Sequence, residues 1–441
     1  MNFDESLQYL LSLGHETLAI KLGLRNTELL LNELQSPEQT FTSVQIAGTN
    51  GKGSTAAFLD SICHAAGIST GLYTSPHLES ITERIVINGK DISREDFARH
   101  ATVIREAATR LLTEGTIEAR PTFFEQLTAI ALTAFREARV ELAILETGLG
   151  GRLDSTTAVK AQICGITQIA LDHQEYLGTD LESIAAEKAA IIRQGSRLVI
   201  APQAPEALKV IRRRCDQVGV TPVIADKVTE IIDVSTDGRF QVTFESPAYR
   251  HANLWLGLRG RHQIENAAVA IQMAEFLKQK GFHISEVAFT EGMQNARHPG
   301  RLEVLSDKPE FLLDGAHNAA GAEMLRKYLD EFGKRPLTIV FGAMRDKQIE
   351  EIARSLFPVA DNIVVTQIQN PRSASLESLV QMAQPYVDHS IQTANTSNEA
   401  IKLALDCTSR NGMICVTGSL YLLGEIRGQL IEQYVKNNEI R

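Results

Sequence analysis

The chain has 441 residues, 44% hydrophobic and 22% charged, with a net charge of -10 and a pI near 5.7. That length exceeds what one hydrophobic core usually serves, so two domains are expected. The acidic balance argues against a nucleic-acid surface. No apolar run approaches the ~20 residues of a membrane span, and the acidic N-terminus lacks a signal-peptide pattern. Five scattered cysteines (Cys63, Cys164, Cys215, Cys407, Cys415) form no C-x-x-C pair and no zinc spacing, which predicts reduced thiols in a cytoplasmic protein.

The first strong element is a strand at 44–47, running into Gly48-Thr49-Asn50-Gly51-Lys52-Gly53-Ser54-Thr55 and then a helix-compatible segment. Strand, glycine loop and helix together make a phosphate cradle. Backbone N–H groups point inward, the helix N-terminus adds partial positive charge, and Lys52 reaches the outer phosphates of a nucleotide. The loop is shorter than the usual one. Ile46 stands where the first glycine is expected, and Gly53 where a Ser or Thr would hold Mg²⁺. The short segment Gly71-Leu72-Tyr73 reads as the next strand, ending at Thr74-Ser75-Pro76-His77. Ser75 could therefore supply the missing hydroxyl; a plain turn residue before proline is the alternative.

A helix is predicted over 123–138 and short buried strands over 142–145, 163–169 and 198–201. Their alternation points to a parallel sheet covered by helices. In such sheets the ligand sits beyond the carboxyl ends of the strands. There the sequence places Glu146-Thr147-Gly148-Leu149-Gly150-Gly151-Arg152-Leu153-Asp154 and, after the following strand, Asp172 and His173. A carboxylate and an imidazole beside a phosphate loop suit Mg²⁺ held together with nucleotide phosphates. A cap for Glu146 and a hydrogen-bonded structural role for His173 are the alternatives. Lys188 follows, with apolar neighbours at helical spacing, so it must snorkel, pair or be modified; pattern alone favours the first two.

Residues 226–261 are rich in β-branched side chains and turn signals and read as an antiparallel excursion. A helix over 264–280 comes next, and 294–301, containing Pro299 and Gly300, is the best linker candidate. Beyond it strands are predicted at 311–313, 337–341, 362–366 and 413–416. The fold class is thus α/β: a P-loop-containing parallel-sheet ATPase domain over 1–297, then a smaller Rossmann-like α/β domain over 298–441. In the second, Asp314-Gly315-Ala316-His317-Asn318 ends a strand, with Arg301 on the linker. These groups would face the phosphate loop if the domains close over one nucleotide; a turn and a helix cap at Asn318 is the plainer reading.

Taken together in order and spacing, these stretches, with Glu187-Lys188-Ala189, His262-Gln263-Ile264-Glu265-Asn266-Ala267, Pro299-Gly300-Arg301 and Gly342-Ala343-Met344, resemble the bifunctional folylpolyglutamate synthase/dihydrofolate synthase family of the Mur ligase superfamily. The resemblance implies an ATP-dependent carboxylate–amine ligase. ATP phosphorylates a substrate carboxylate, and the α-amino group of L-glutamate attacks the acyl phosphate. It further implies that Asn50, Gly51, Lys52, Gly53 and Ser54 cradle the phosphates, that Asn266 contacts the adenine, Arg301 the phosphates and Asp314 the ribose. Ser75, Glu146 and His173 would hold Mg²⁺. Lys52, Lys188 and His317 would act in catalysis, with Lys188 N-carboxylated. Leu24, Arg25, Asn26, Thr27, Phe123, Phe124, Glu125, Arg152, Leu153 and Asp154 would shape the pterin side. Ala190, Gln174 and Ala319 depart from the family's usual residues without removing a reactive group. Expected partners are small molecules alone, dihydropteroate or reduced folates and L-glutamate, with no nucleic acid or membrane and the chain acting as a monomer. A ligase acting on a peptidoglycan precursor and a P-loop ATPase regulator without ligase activity are the alternatives.

Overall fold

The computed structural model describes residues 1–14, 23–225, 228–246, 248–388 and 390–435. They form two compact units, one of Met1–Thr229, Phe244–Leu254 and Glu265–Ala296, the other of Glu230–Thr243, Trp255–Ile264 and Arg297–Arg441.

In the first unit, eight strands form one sheet: β1 (Thr42–Ala47), β2 (Thr70–Tyr73), β3 (Ile85–Ile87), β4 (Lys90–Asp91), β5 (Leu142–Glu146), β6 (Ile163–Ile166), β7 (Arg197–Ile200) and β8 (Pro222–Ile224). Their spatial order is β4-β3-β2-β5-β1-β6-β7-β8. The six from β2 to β8 pair in parallel, and β3 and β4 add an antiparallel hairpin at one edge. The central strands read as near-continuous apolar runs because helices cover both faces. On one side the helix Phe123–Glu137 is started by a capping box between Thr122 and Glu125, and packs with Tyr73, Phe97 and Leu145. Further along the same face, Ile184, Ile192 and Ile211 close over Leu198 and Ile200; on the opposite face Gly165 meets Met273 and Val269 of the helix His262–Gln279. The helix Glu286–Asn295 crosses the helix Lys52–Ala65 at backbone contact: a Cβ on Gly292 would lie 2.4 Å from the Cα of Ile62.

Three strands, β9 (Val228–Val234), β10 (Phe240–Glu245) and β11 (Arg250–Trp255), form a separate sheet in the order β11-β10-β9. Ser235 N donates to Arg239 O and Ser246 N to Tyr249 O, closing the two turns. This sheet is the antiparallel excursion expected over 226–261, of which positions 226, 227 and 247 lie outside the described residues. The chain's one tryptophan, Trp255, ends β11.

The second unit carries β12 (Glu303–Asp307), β13 (Glu310–Leu313), β14 (Leu337–Phe341), β15 (Asn362–Thr366), β16 (Gln392–Ala394) and β17 (Met413–Thr417), ordered β12-β13-β17-β14-β15-β16. All pairs are parallel except β12 with β13. Leu302, Leu325, Phe341, Ile352 and Phe357 lie in its core.

Five differences from the sequence-based elements stand out. The strand predicted over 163–169 ends at Ile166, because the next residues turn to meet the glycine loop. The hairpin β3–β4 and strands β8, β12 and β16 are absent from the sequence reading: β4 is two exposed residues and β12 mixes charged with apolar side chains. No described helix is long and apolar enough to cross a membrane.

Candidate active site

Four neighbouring parallel strands, β2, β5, β1 and β6, deliver their carboxyl ends side by side. Ser75 follows β2, Glu146 ends β5, Gly48 follows β1, and Asp172 and His173 come a few residues after β6. This is where an open parallel sheet binds its ligand.

The glycine loop is built by contact on both sides. A Cβ on Gly48 would lie 1.8 Å from Thr167 Oγ1, so no side chain fits there. Gly51 has φ +88°, a left-handed value that favours glycine, and a Cβ on it would sit 2.1 Å from Asn266 Oδ1. Asn266 is 7% exposed, and its carbonyl accepts from Thr55 Oγ1. The loop's first amides do not face outward. Thr49 N and Asn50 N both donate to the carbonyl of Gln168, at 2.9 and 3.2 Å. The part of the loop set to receive an anion is the helix N-terminus from Gly51 through Lys52, Gly53 and Ser54.

Two amines converge on one carbonyl. Lys188 Nζ donates to Gly48 O at 2.7 Å, and Lys52 Nζ reaches the same oxygen at 3.2 Å and Thr49 O at 3.3 Å. Lys188 is 4% exposed, in the last turn of the helix Leu181–Ala189. Burial, reinforced by the charge of Lys52, brings its pKa down from the ordinary 10.5 to about 7, against the opposing pull of Asp172, Asp154 and Glu187. Of the alternatives left open for this lysine, the snorkelling one is excluded by that burial. Lys52 also lies 3.9 Å from Glu146 Oε1, and Glu146 Oε2 accepts from Ser75 N at 3.3 Å. His173 adopts a left-handed backbone (φ +50°), and its N–H donates to Asp172 Oδ1 at 2.9 Å. Among the described residues no three His, Cys, Asp or Glu side chains gather as a metal cluster; the predicted set contains only Glu146 and His173 of those types, with Ser75 as third member.

The three predicted pterin segments join in one run of contacts. Thr27 Oγ1 donates to Glu125 Oε1 at 3.2 Å, and Asn26 Nδ2 to Ala119 O at 3.3 Å. Phe124 packs against Tyr73, ring centroids 5.8 Å apart, and closes on Gly148. Asp154 is buried, and its carboxylate organises its own loop. Oδ2 accepts from Gly148 N and Leu149 N, Oδ1 from Thr156 N and Oγ1. Arg152 pairs with Glu187 at 2.8 Å, tying this loop to the helix of Lys188. Leu24 precedes the helix Arg25–Glu33, Arg25 is exposed and Leu153 half-buried. Sequence reasoning overlooked Arg84. It is 3% exposed, donates from Nε to His77 Nδ1 at 2.7 Å and lies 5.6 Å from the Phe123 ring centroid. Burial and that guanidinium hold His77 neutral, its pKa lowered to about 3.

In the second unit, Asp314 follows β13. It is buried, and both oxygens are taken by backbone donors, Leu302 N and Ala316 N, each at 3.0 Å. Burial raises its pKa, opposed by Arg301. The Arg301 guanidinium lies against Gly315: a Cβ there would be 2.7 Å from its Nη1. Two buried histidines, His262 and His298, stay neutral through burial and the same guanidinium, with pKa values lowered to about 4 and about 3. His317 Nδ1 is 2.8 Å from Gly315 O, and Asn318 caps the helix Ala319–Phe332.

Residues 46–274 match the Mur ligase middle domain, and residues 300–420 the Mur ligase glutamate ligase domain. The dihydrofolate synthase/folylpolyglutamate synthase of Bacillus subtilis is 34% identical over 95% of this chain and 97% of its own length. This chain belongs to the folylpolyglutamate synthase/dihydrofolate synthase family. It is an ATP-dependent ligase. Among solved structures, the Mycobacterium tuberculosis folylpolyglutamate synthase complexed with ADP superposes with a TM-score of 0.90 at 31% identity, covering 97% of this chain and 99% of that one. Escherichia coli FolC in complex with DHPP and ADP gives 0.86 at 29% identity over 98% of each chain. These relatives favour neither a peptidoglycan-precursor ligase nor a P-loop regulator without ligation.

Proposed function

We propose that this ligase joins L-glutamate both to dihydropteroate and to the glutamate tail of reduced folates, working as a cytoplasmic monomer. Residues 1–297 act as the ATP-binding domain and 298–441 as the glutamate-ligase domain. One observation carries the reading: the contacts from Thr27–Glu125 through Phe124–Gly148 and Arg152–Glu187 reach the helix whose Lys188 touches the phosphate loop. A pterin-bearing acid laid along that run would bring its carboxylate to the nucleotide.

Two anions must then approach each other. Lys52 and the helix N-terminus offset the charge of the triphosphate, Arg301 contacts the phosphates, Asn266 the adenine and Asp314 the ribose. Asp314 fits a hydroxyl-binding role, since its carboxylate is held rigid by two backbone donors. The terminal phosphoryl group passes to the substrate carboxylate, ADP departs, and glutamate nitrogen displaces phosphate, with His317 beside the reacting groups.

Ser75, Glu146 and His173 fit a hard cation: a buried carboxylate already hydrogen-bonded to the serine's backbone, with an imidazole beyond the next strand but one. Magnesium would supply charge neutralisation to the phosphates. Lys188, with a pKa near 7, offers a neutral amine to CO₂. Its nitrogen forms a bond to carbon, one C=O electron pair moves to oxygen, and a proton leaves, giving a carboxylated lysine that accepts where the ammonium could only donate.

The test is phosphate release over a panel of acceptor acids, each with and without L-glutamate. Sustained release should need both dihydropteroate or a folate and glutamate. Equal release without any acceptor would remove the ligase assignment of this site.

A further inference from the structure

We propose that Gln203, in the loop between β7 and the helix Pro205–Val218, is a positioning residue for nucleotide binding that acts through the carbonyl of Gln168. The inference rests on the reading of 48–54 as the nucleotide cradle.

The segment 167–170, just after β6, has no regular ladder of its own. Yet the phosphate loop hangs from it. Gln168 O accepts the N–H groups of Thr49 and Asn50, while Thr49 Oγ1 donates to Ala170 O at 3.0 Å and accepts from Ala170 N at 3.1 Å. Something must hold these four residues in place with the Gln168 carbonyl aimed at the loop. The Gln203 side chain does so. Its Nε2 donates to Thr167 O at 2.9 Å, and its Oε1 accepts from Ile169 N at 3.0 Å. Carbonyl and N–H on either side of one residue are the pair that a neighbouring parallel strand would engage. Gln203 thus stands in for a strand partner with a side-chain amide where the regular β6–β7 ladder has ended. With both flanks pinned, the Gln168 peptide cannot rotate and its carbonyl stays on the loop.

The chain of dependence is short: Gln203, then Gln168 O, then Thr49 and Asn50, then the donors from Gly51 onward. Gly48 O, between β1 and this latch, is also the carbonyl on which Lys52 and Lys188 meet. Losing the latch should loosen the cradle without touching the adenine-side Asn266.

The test uses Gln203→Met, which keeps volume and removes both hydrogen bonds, with ADP as probe and full-length protein throughout. Gln203→Met should weaken ADP binding on the order of tenfold, the value of two neutral hydrogen bonds only partly passed on, with little change in Tm. Thr49→Val should weaken it similarly, and the double variant by clearly less than the product, because both act through 167–170. Lys52→Ala serves as the control on the cradle itself. If Lys52→Ala weakens ADP and Gln203→Met does not, or if the two effects multiply independently in the double variant, the positioning role is wrong. If Lys52→Ala leaves ADP binding intact, the cradle reading fails and takes this role with it. Should Gln203→Met fold poorly, Gln203→Glu, which keeps the acceptor for Ile169 N, reads the same affinity and should fall between wild type and Thr49→Val; wild-type affinity there overturns the proposal.

Discussion

The phosphate loop of the first unit and the Asp314 loop of the second both follow a parallel strand, yet they store charge in opposite ways. At Gly48 two amines share one carbonyl, and the nearest carboxylate, Glu146, stands 3.9 Å from Lys52. Around Asp314 a buried carboxylate has both oxygens matched to backbone N–H groups, with Arg301 nearby. The first arrangement crowds two amines whose repulsion Glu146 only partly offsets, and an anion would relieve it. The second is settled without a ligand and presents a fixed shape. On the proposed reading, binding energy at the first loop comes from charge, and at the second from geometry already in place.

The largest expected effect tests the charged loop directly. Lys52→Ala should lower turnover by on the order of 10²–10³ or more, since it removes the main donor to the developing phosphoryl charge. Steady-state phosphate release measures it, and near wild-type turnover would break the contrast.

Lys188→Met sharpens it. The variant should lose activity yet melt higher than wild type in CO₂-free buffer. A lysine whose pKa falls from 10.5 to about 7 on folding binds its proton less tightly in the native state. The unfolded chain then holds more protons between those pH values, so wild-type stability rises with pH across that window and the full penalty applies below it. The methionine advantage should be on the order of a few kcal/mol near pH 7 and fade toward pH 10.5. A lower Tm at pH 7 would show that the two amines are not in tension.

The settled loop makes the opposite prediction. Asp314→Ala should destabilise by about 1–3 kcal/mol, because Leu302 N and Ala316 N lose their buried acceptor. Thermal unfolding reads this, and an unchanged Tm would mean water replaces the carboxylate at no cost. Smallest is Gly51→Ala, where a left-handed backbone and the displaced Asn266 amide together cost roughly 1 kcal/mol, read as weaker ADP binding with the fold intact.

Much of this was legible in the sequence, for physical reasons. Gly48, Gly51 and Lys52 announce a phosphate loop because the two glycines permit its tight backbone and the lysine supplies its charge. Glu146 and Asp314 were visible because a carboxylate directly after an apolar run is costly unless used. The remainder was hidden because it runs through backbone atoms. The Gln168 carbonyl leaves no mark in the residue alphabet, so the apolar run 163–169 read as one strand although its ladder stops at Ile166. Gln203 and Arg84 sit outside any glycine-rich or strand-end pattern, and only their partners, Thr167, Ile169 and His77, give them meaning. Asp154 is expected to help shape the pterin side, and the structure adds that its four hydrogen bonds organise the loop that carries Arg152.

Trp255 ends β11 at the point where the chain leaves the segment 244–254 of the first unit and enters 255–264 of the second. As the chain's sole indole, it is an intrinsic fluorophore already installed at that crossing. Excitation at the red edge of protein absorption would select it over the tyrosines, so its emission wavelength and quenching by iodide can follow the crossing during an ADP titration without any label. The same protein thus supplies both the equilibrium to be measured and the lamp that measures it.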